Sequence, residues 1–486
     1  MHVLFLQDNG INESLLICEA SAHLKACGHR TSLLLEREER DLRGAVEGLS
    51  PDLVVVQASV LAHNWVRRTC RWLKRHFPGL PVVLAGSHVT FYPDLLKFDE
   101  VDMLIVGEAE HALVDLLDAL AGRRPLETIP NLHVKRARTE HRNEARPLLE
   151  DLDALPLPDR GLYFDRYPFM AAFPWKKFTT GRGCLHACAF CYQPLYRRLM
   201  RTKGAYVRRK SPQRVVDEVA AVAARWPLKN THFSDDLFIT DVPWLQGFAE
   251  RYTDAVPVPY SMNTSADFVT PETARLLGQS RCRTAALGIE THDEALRRSI
   301  LRKDISNETI REAVRLLRAE RVNVVTFNML AMPHETLASA LETLRFNRDL
   351  GVSHARIAIC FPLPGTAIAQ RAARDGVTLY GYDGDIYALP DMTEARPGVF
   401  FETAKADERR FVNLYRLYGL GLGHALRLPL VERLLDLPPN PLFSLGDLHR
   451  MARERQVYGF SWLEGLRYFL HVGLPDKRTT NFVSLI

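Results

Sequence analysis

The first 125 residues switch repeatedly between unbroken apolar runs and longer stretches with apolar residues three and four apart. The runs are HVLFLQ, RTSLLL, DLVVVQ, PVVLAG and DMLIVG. Each has the length of one strand, and unbroken hydrophobicity marks strands buried on both faces. Between them, ESLLICEASAHLKACGH, ERDLRGAVEGLS and VRRTCRWLKRHFPG carry helical spacing, and HALVDLLDALAG follows the last run. This alternation predicts a parallel sheet with helices on both faces. A ligand of such a sheet sits beyond the carboxyl ends of its strands.

Residues 126–174 break the pattern with proline and charge, as in RRPLETIP, LPLPDR and YPFMAAFPW, and read as a linker. From 175 to about 390 a second alternation runs through KKFTTGRG, NTHFSDD, PYSMNTSADF, RTAALGIE, NVVTFNMLAMP and HARIAICFPLPG. Helical patterns separate these six strands, which predicts a curved, partly open barrel of six βα units. Residues 391–486 lose the strand pattern. FVNLYRLYGLGLGHALRLPLVERLLDL and SWLEGLRYFLHVGL read as helices rich in Leu, Tyr and Arg.

Composition narrows the class. With 486 residues, 47% hydrophobic and 25% charged, the chain has the balance of a soluble globular protein with several domains. A net charge of +5 is small for this length and argues for neither nucleic acid nor a membrane surface. MHVLFLQDNG lacks a basic leader and reads as a first strand, not a secretory signal. No apolar run reaches the roughly 18 residues expected of a spanning helix. Eight cysteines in so long a chain do not form a disulfide framework, so a reducing cytoplasm is the expected location.

The chemistry concentrates in GRGCLHACAFCYQP, which places Cys184, Cys188 and Cys191 as C-x3-C-x2-C directly after the first barrel strand. Two thiols would suggest a redox pair, and four a structural zinc site. A cubane iron–sulfur cluster takes one ligand per iron, so three leave one iron open. A zinc loop or a chance grouping of cysteines is the alternative. With Phe190 before the last cysteine, the motif resembles the radical S-adenosylmethionine (SAM) superfamily over residues 175–390. The resemblance implies a [4Fe-4S] cluster on these cysteines, with SAM chelating the open iron and split by one electron to a 5′-deoxyadenosyl radical.

The other strand ends extend the likeness. In FSDDLF, Ser234, Asp235 and Asp236 stand where family members bind the methionine amino group. Asn263 ends the third strand. In LGIET, Gly288 permits close backbone approach, and Glu290 is a candidate for the ribose or the amino acid moiety. Each acidic residue taken singly also fits a helix cap or a solvated rim. MPHET is similar to the family's Pro-Gly-Glu-Thr turn, with His334 in place of glycine, and FPLPGT to its Pro-Gly-Thr turn. Cys282 and Cys360 read as buried, inert thiols. His186, between cluster ligands, is either a cluster-tuning group or a surface histidine.

In the first domain, Ser59-Val60-Leu61 follows the third strand, and Ala85-Gly86-Ser87-His88-Val89-Thr90 the fourth. This spacing resembles the Ser-x-Leu and Gly-Gly elements of cobalamin-binding domains, and VGEAEHAL, with Gly107 and Glu108, their Gly-Glu-Gly-Glu segment. The expected cofactor contacts are Ser59, Leu61, Gly86, Ser87, His88, Thr90, Gly107 and Glu108. His88 also fits a buried, hydrogen-bonded histidine, and is not assigned to cobalt. The first glycine of the pair is Ala85. The usual Asp-x-His-x-x-Gly is missing, since QDNGINES keeps Asp8 but has no histidine two residues on. The resemblance then implies a weakly ligated or water-ligated cobalt. Methylthiotransferases carry a second cluster on three N-terminal cysteines, but Cys18, Cys27 and Cys70 fall within helical patterns here.

The combined resemblance implies an α/β chain with a Rossmann-like (flavodoxin-like) cobalamin-binding domain at 1–125, a partial (βα)6 TIM-type radical SAM barrel and a helical C-terminal region. It implies a cobalamin-dependent radical SAM methyltransferase acting on an unactivated carbon of a metabolite or natural product. Oxidative cyclisation or ring rearrangement without methyl transfer is one alternative, and a non-catalytic cobalamin or cluster sensor another. The expected partners are a small apolar or anionic substrate and an electron donor such as flavodoxin or ferredoxin, with no nucleic acid. Tyr415, Tyr418, Arg427, Trp462, Arg467 and Tyr468 suit either substrate selection or helix packing.

Overall fold

A computed structural model describes residues 1–10, 12–60, 62–136, 139–377, 386–388, 391, 398–423, 426–438, 440 and 443–464. The first sheet contains β1 (His2–Gln7), β2 (Arg30–Leu35), β3 (Leu53–Gln57), β4 (Val82–Ala85), β5 (Met103–Ile105), β6 (Leu132–Arg136) and β7 (Thr139–Arg142) in the order β2-β1-β3-β4-β5-β6-β7. β1 to β5 are parallel, and every residue of β1 is buried. Val3 and Phe5 face one apolar cluster, Leu4 and Leu6 another, so the sheet is covered on both sides as its unbroken runs require.

The segment read as a linker is partly sheet. β6 adds to β5 antiparallel and β7 closes a hairpin onto β6. Leu132 and Val134 alternate with His133 and Lys135, a period-two signal overshadowed by the surrounding proline and charge. Further on, Tyr163, Phe164 and Tyr167 pack into the first sheet's core.

The barrel is a six-stranded parallel sheet. It contains β8 (Trp175–Phe178), a short antiparallel pair β9 (Gly181–Arg182) and β10 (Arg208–Arg209) above it, then β11 (Asn230–Phe233), β12 (Tyr260–Thr264), β13 (Cys282–Glu290), β14 (Asn323–Leu330) and β15 (His354–Ile359). Its order, β15-β14-β13-β12-β11-β8, leaves β8 and β15 as free edges. Beyond it, Glu408–Leu422 and Leu428–Leu435 form separate helices, with Pro429 in the first turn of the second. A third helix, Ser444–Tyr458, contacts β13 and β15 and inserts Val457 and Tyr458 against Ala286 and Val325. The expected helix starting at Ser461 lies outside the described residues from 465 onward.

Candidate active site

The cysteine loop leaves β8 through a turn that only small residues fit. Gly181 and Gly183 lie against the carbonyls of Arg208 and Tyr206, where a Cβ would collide, and Gly183 has φ +92°. The loop is pinned further on: Ala189 N–H donates to the Leu301 carbonyl at 2.8 Å, and the Ala189 carbonyl accepts from Ile368 N–H at 2.9 Å. Arg197 donates to the Cys184 carbonyl, and Gln193 N–H to the Cys191 sulfur at 3.4 Å. Phe190 packs with Met332, Cys360 and Phe401.

All eight cysteines are free thiols. Among the described residues, no three His, Cys, Asp or Glu side chains close around a single ion. Burial pushes Cys188 up to about 11, with Cys184 adding to the rise, and Cys191 up to about 12, with Cys188 and Cys184 adding to it. Cys282 and Cys360 are buried and raised by desolvation, as inert thiols should be. His186 is half-buried, 3.6 Å from Asp267 and edge-on to Phe268.

Strand-end residues divide into free and committed groups. Asp235 is committed: its carboxylate accepts Thr180 N–H at 2.9 and 3.0 Å and the Thr180 hydroxyl at 2.8 Å. It shapes the turn after β8 and has little capacity left for a ligand. Ser234 donates to the Phe178 carbonyl at 3.2 Å. Asp236 is exposed and accepts from Gln193, adjacent to the last cysteine of the loop but one residue. Asn263 donates to the Asp235 carbonyl at 3.2 Å, while its own buried Oδ1 has no partner. That orphaned acceptor suits an ammonium or hydroxyl donor.

Glu290 adopts φ +64° and pairs with Lys303 at 3.0 Å, and Lys303 also donates to the Gly288 carbonyl at 2.6 Å. A Cβ on Gly288 would lie 2.6 Å from the Lys303 ammonium. Lys303 stands in a loop and has no periodic signal in the sequence. His334, standing for the family's glycine, has φ +65°, so this turn keeps a left-handed residue without glycine.

The rim of the first sheet is similarly constrained. Gly86 has φ +134°, and a Cβ there would lie 2.6 Å from the Ala58 carbonyl. Ser87 Oγ accepts Val60 N–H at 3.1 Å, and exposed Ser59 stands beside it. Thr90 donates to the Gly86 carbonyl at 2.9 Å and accepts Gly107 N–H at 3.0 Å, tying the ends of β4 and β5 together. His88 is fully buried, and neither ring nitrogen has a partner. It stacks on His63 at 5.5 Å, and burial with that neighbour lowers its pKa to about 3. A glycine cradle and an unpartnered imidazole fit a bulky polar cofactor. Leu61 lies outside the described residues. Asp8 pairs with Arg37 at 2.9 Å.

Glu108 departs from the expected role. Its carboxylate lies 2.8 Å from both Arg182 and Arg208 and accepts Leu149 N–H at 3.0 Å. Arg182, two residues before Cys184, also meets Glu19 at 2.7 Å and Glu110 at 2.5 Å. The Gly-Glu-x-Glu segment thus grips the cysteine loop. The two rims meet directly: Phe91 stacks on Tyr192 at 4.3 Å, and the hydroxyls of Tyr92 and Tyr192 are hydrogen-bonded.

Cys18 and Cys70 belong to apolar clusters on opposite faces of the first sheet, while Cys27 is exposed, so the three cannot share a second cluster. Tyr418 is buried with its hydroxyl on Asn347 at 3.1 Å, and Tyr415 lies under Arg450. Trp462 is exposed beneath Arg455, and Arg467 and Tyr468 lie outside the described residues. No helix among the described residues is long and apolar enough to cross a membrane.

Residues 5–117 match the B12 binding domain, and residues 178–346 the radical SAM superfamily. An uncharacterized methyltransferase of Pyrococcus horikoshii is 24% identical over 343 residues, covering 70% of this chain and 73% of its own. The anaerobic magnesium-protoporphyrin IX monomethyl ester cyclase of Synechocystis is also 24% identical, over 90% of this chain and 83% of its own. The fold is shared with TsrM, a radical SAM methyltransferase from Kitasatospora setae (TM-score 0.69, 17% identity, 94% of this chain and 98% of that one). It is shared too with the cobalamin-dependent SAM radical enzyme OxsB (TM-score 0.68, 13% identity, 94% and 72%). With both matches falling on the two sheets whose rims face each other, the chain is a radical SAM enzyme with a B12-binding domain, using a [4Fe-4S] cluster, SAM and cobalamin.

Proposed function

We propose that the chain is a methyltransferase that moves a methyl group from cobalamin to an unactivated carbon of a small metabolite or natural product. The observation that carries this reading is the contact between Phe91 and Tyr192. Phe91 ends the helix that begins at Ser87, and Tyr192 follows Cys191 directly. This contact brings the region that would hold cobalamin next to the region that would hold the cluster. A substrate radical and a methyl donor must come that close for transfer.

Cys184, Cys188 and Cys191 would hold the cluster, with Phe190 packing beneath it. Asn263, Ser234, Asp236, Gly288 and Glu290 line the strand ends where SAM would lie. Ser59, Gly86, Ser87, His88, Thr90 and Gly107 form the cobalamin rim. When bound, these groups supply a carbon-centred radical and a transferable methyl group. The chain's own residues orient them: Lys303 fixes Glu290, Thr180 fixes Asp235, and Arg182 holds the cysteine loop against Glu108 and Glu110. The chain acts in the cytoplasm with a reducing partner such as flavodoxin or ferredoxin.

The test is anaerobic reconstitution with iron, sulfide, cobalamin, SAM and candidate metabolites, read by mass spectrometry. Methyl transfer yields 5′-deoxyadenosine, S-adenosylhomocysteine and a product heavier by one methylene. The cyclase likeness extends over 90% of this chain, which keeps oxidative cyclisation as the second reading. That reaction gives no methylene gain. Absence of 5′-deoxyadenosine with every substrate would return the chain to a sensor.

A further inference from the structure

Gln193, two residues past Cys191, bonds to three neighbours at once. Its main-chain N–H donates to the Cys191 sulfur at 3.4 Å. Its side-chain N–H donates to Asp236 Oδ2, and its side-chain oxygen accepts from the Tyr206 hydroxyl. The same hydroxyl lies 3.0 Å from the Gln193 main-chain carbonyl. These partners leave the amide one orientation. An ionised Asp236 has no proton to give, so the amide nitrogen must face it, and the oxygen is left for Tyr206. Tyr206 is itself held. Its ring lies edge-on to Tyr196 at 5.9 Å, with the Arg197 guanidinium 5.0 Å above it.

The two neighbouring carboxylates after β11 are thereby set apart. Asp235 is buried and gives both oxygens to Thr180. Asp236 is exposed, and Gln193 takes only its Oδ2. Among the described residues nothing bonds to Oδ1, and no cation pairs with this carboxylate; the charge beside it is the second anion, Asp235. A surface carboxylate of the ordinary kind turns freely in water. This one is gripped by an amide that is fixed at its other end by Tyr206 and tied through its own main chain to the Cys191 sulfur. A bare anionic oxygen held in one place beside the cysteine loop suits a ligand that brings an N–H.

Resting on the reading of this rim as the SAM site, we infer that Gln193 is a positioning residue for SAM, acting through Asp236. It holds Oδ2 so that Oδ1 of Asp236, and not Asp235, accepts an N–H of the methionine amino group. Because the same residue bonds to the Cys191 sulfur, it also fixes that acceptor relative to the cysteine loop. Tyr206 contributes by keeping the amide in its one useful orientation. Without the amide, Asp236 must be ordered at the moment of binding, and the cost falls on SAM affinity rather than on the cluster.

The test is anaerobic titration calorimetry with SAM, on the full chain reconstituted with cluster and cobalamin and kept free of reductant so that SAM stays intact. Gln193→Leu keeps the main-chain N–H on Cys191. It should bind SAM about tenfold more weakly, the scale of one charge-assisted hydrogen bond, with iron per chain unchanged. Tyr206→Phe, which removes a bond to neither Asp236 nor a sulfur, should bind about threefold more weakly. Asp236→Asn should lose at least as much as Gln193→Leu. The double variant should lose no more than Asp236→Asn alone, because one residue acts through the other. Losses that multiply in the double variant, or an unchanged SAM affinity in Gln193→Leu, overturn the assignment. Should Gln193→Leu lose iron, Tyr206→Phe with its full cluster decides: weaker SAM binding supports the assignment and unchanged binding overturns it. A wild-type chain that holds its cluster but binds no SAM overturns the reading of the rim itself, so the two failures are told apart.

Discussion

Asp391 Oδ2 accepts the main-chain N–H of Trp65 at 2.9 Å across 326 residues of sequence, and Oδ1 accepts Asn64 N–H at 2.9 Å. These are the second and third N–H groups of the helix His63–His76, whose own N-cap, Ala62, has no side chain to offer. A residue beyond the barrel thus caps a helix of the first sheet. Asp391 is itself buried, and Tyr387 nearby packs edge-on against His63. Asp391→Ala should lower stability by about 1–2 kcal/mol, the range of a lost cap. Urea unfolding measures the loss, and faster proteolysis of the segment around 391 should accompany it.

Arg182 stands among Glu19, Glu108 and Glu110, all substantially buried. The three carboxylates hold its pKa well above the usual guanidinium range, and Arg182 with Lys210 draws Glu19 down to about 2. Removing one partner of a buried ionic cluster strands the others, at a cost of about 3–5 kcal/mol. Arg182→Met should show a loss of that size by chemical denaturation. It should also reduce iron retained per chain, because this side chain fixes the loop two residues before Cys184. Arg182→Lys keeps the charge but not the fork, and should fall between the two.

What could be read from the sequence follows the range of the interaction that made each feature. Unbroken strands such as LVVVQ and the C-x3-C-x2-C loop are local, and both stand where the pattern placed them. β6 carries little local signal, because its five residues sit amid proline and charge and its pairing with β5 is a tertiary choice. The helix Ser444–Tyr458 has only a weak apolar stripe, yet it packs Val457 and Tyr458 against Ala286 and Val325 and pairs Glu454 with Arg356. Asp235 and Glu108 both follow strand ends, as their motifs suggest. Their partners, Thr180 and Arg182, are remote in sequence, so no local pattern separates a turn-shaping carboxylate from one facing a ligand. Lys303 and Asp391 are single charges in loops, visible only once the chain folds.

Gly86 and Gly183 test the two rims separately. Alanine at 86 would place a Cβ 2.6 Å from the Ala58 carbonyl at φ +134°, a backbone clash that no rotamer relieves. Gly86→Ala should lose cobalamin, read as visible absorbance per chain, while keeping its iron. Gly183→Ala should do the reverse, because its Cβ collides with the Tyr206 carbonyl beneath the cysteine loop. If both variants lose both groups together, the rims are not independent.

Glu335 gives a pH dependence with a defined sign. It is buried in the turn after β14, accepts Met332 N–H at 3.2 Å on one oxygen, and has no partner on the other. Burial pushes its pKa up to about 8 against an ordinary 4.5, with Asp293 adding to the rise. A carboxyl that is raised in the folded state binds its proton more tightly there than in the unfolded chain. Its contribution to stability is complete below about 4.5 and is lost as pH climbs through about 8. Across that window the wild type should weaken by at most about 1.4 kcal/mol per pH unit from this group. Glu335→Gln keeps the shape and the acceptor but cannot ionise. Urea unfolding between pH 6 and pH 9, flanking the value of about 8, should therefore give a flatter profile for the variant than for the wild type. Parallel profiles would mean that Glu335 is already ionised at neutral pH, and that its turn is held by charge rather than by a retained proton.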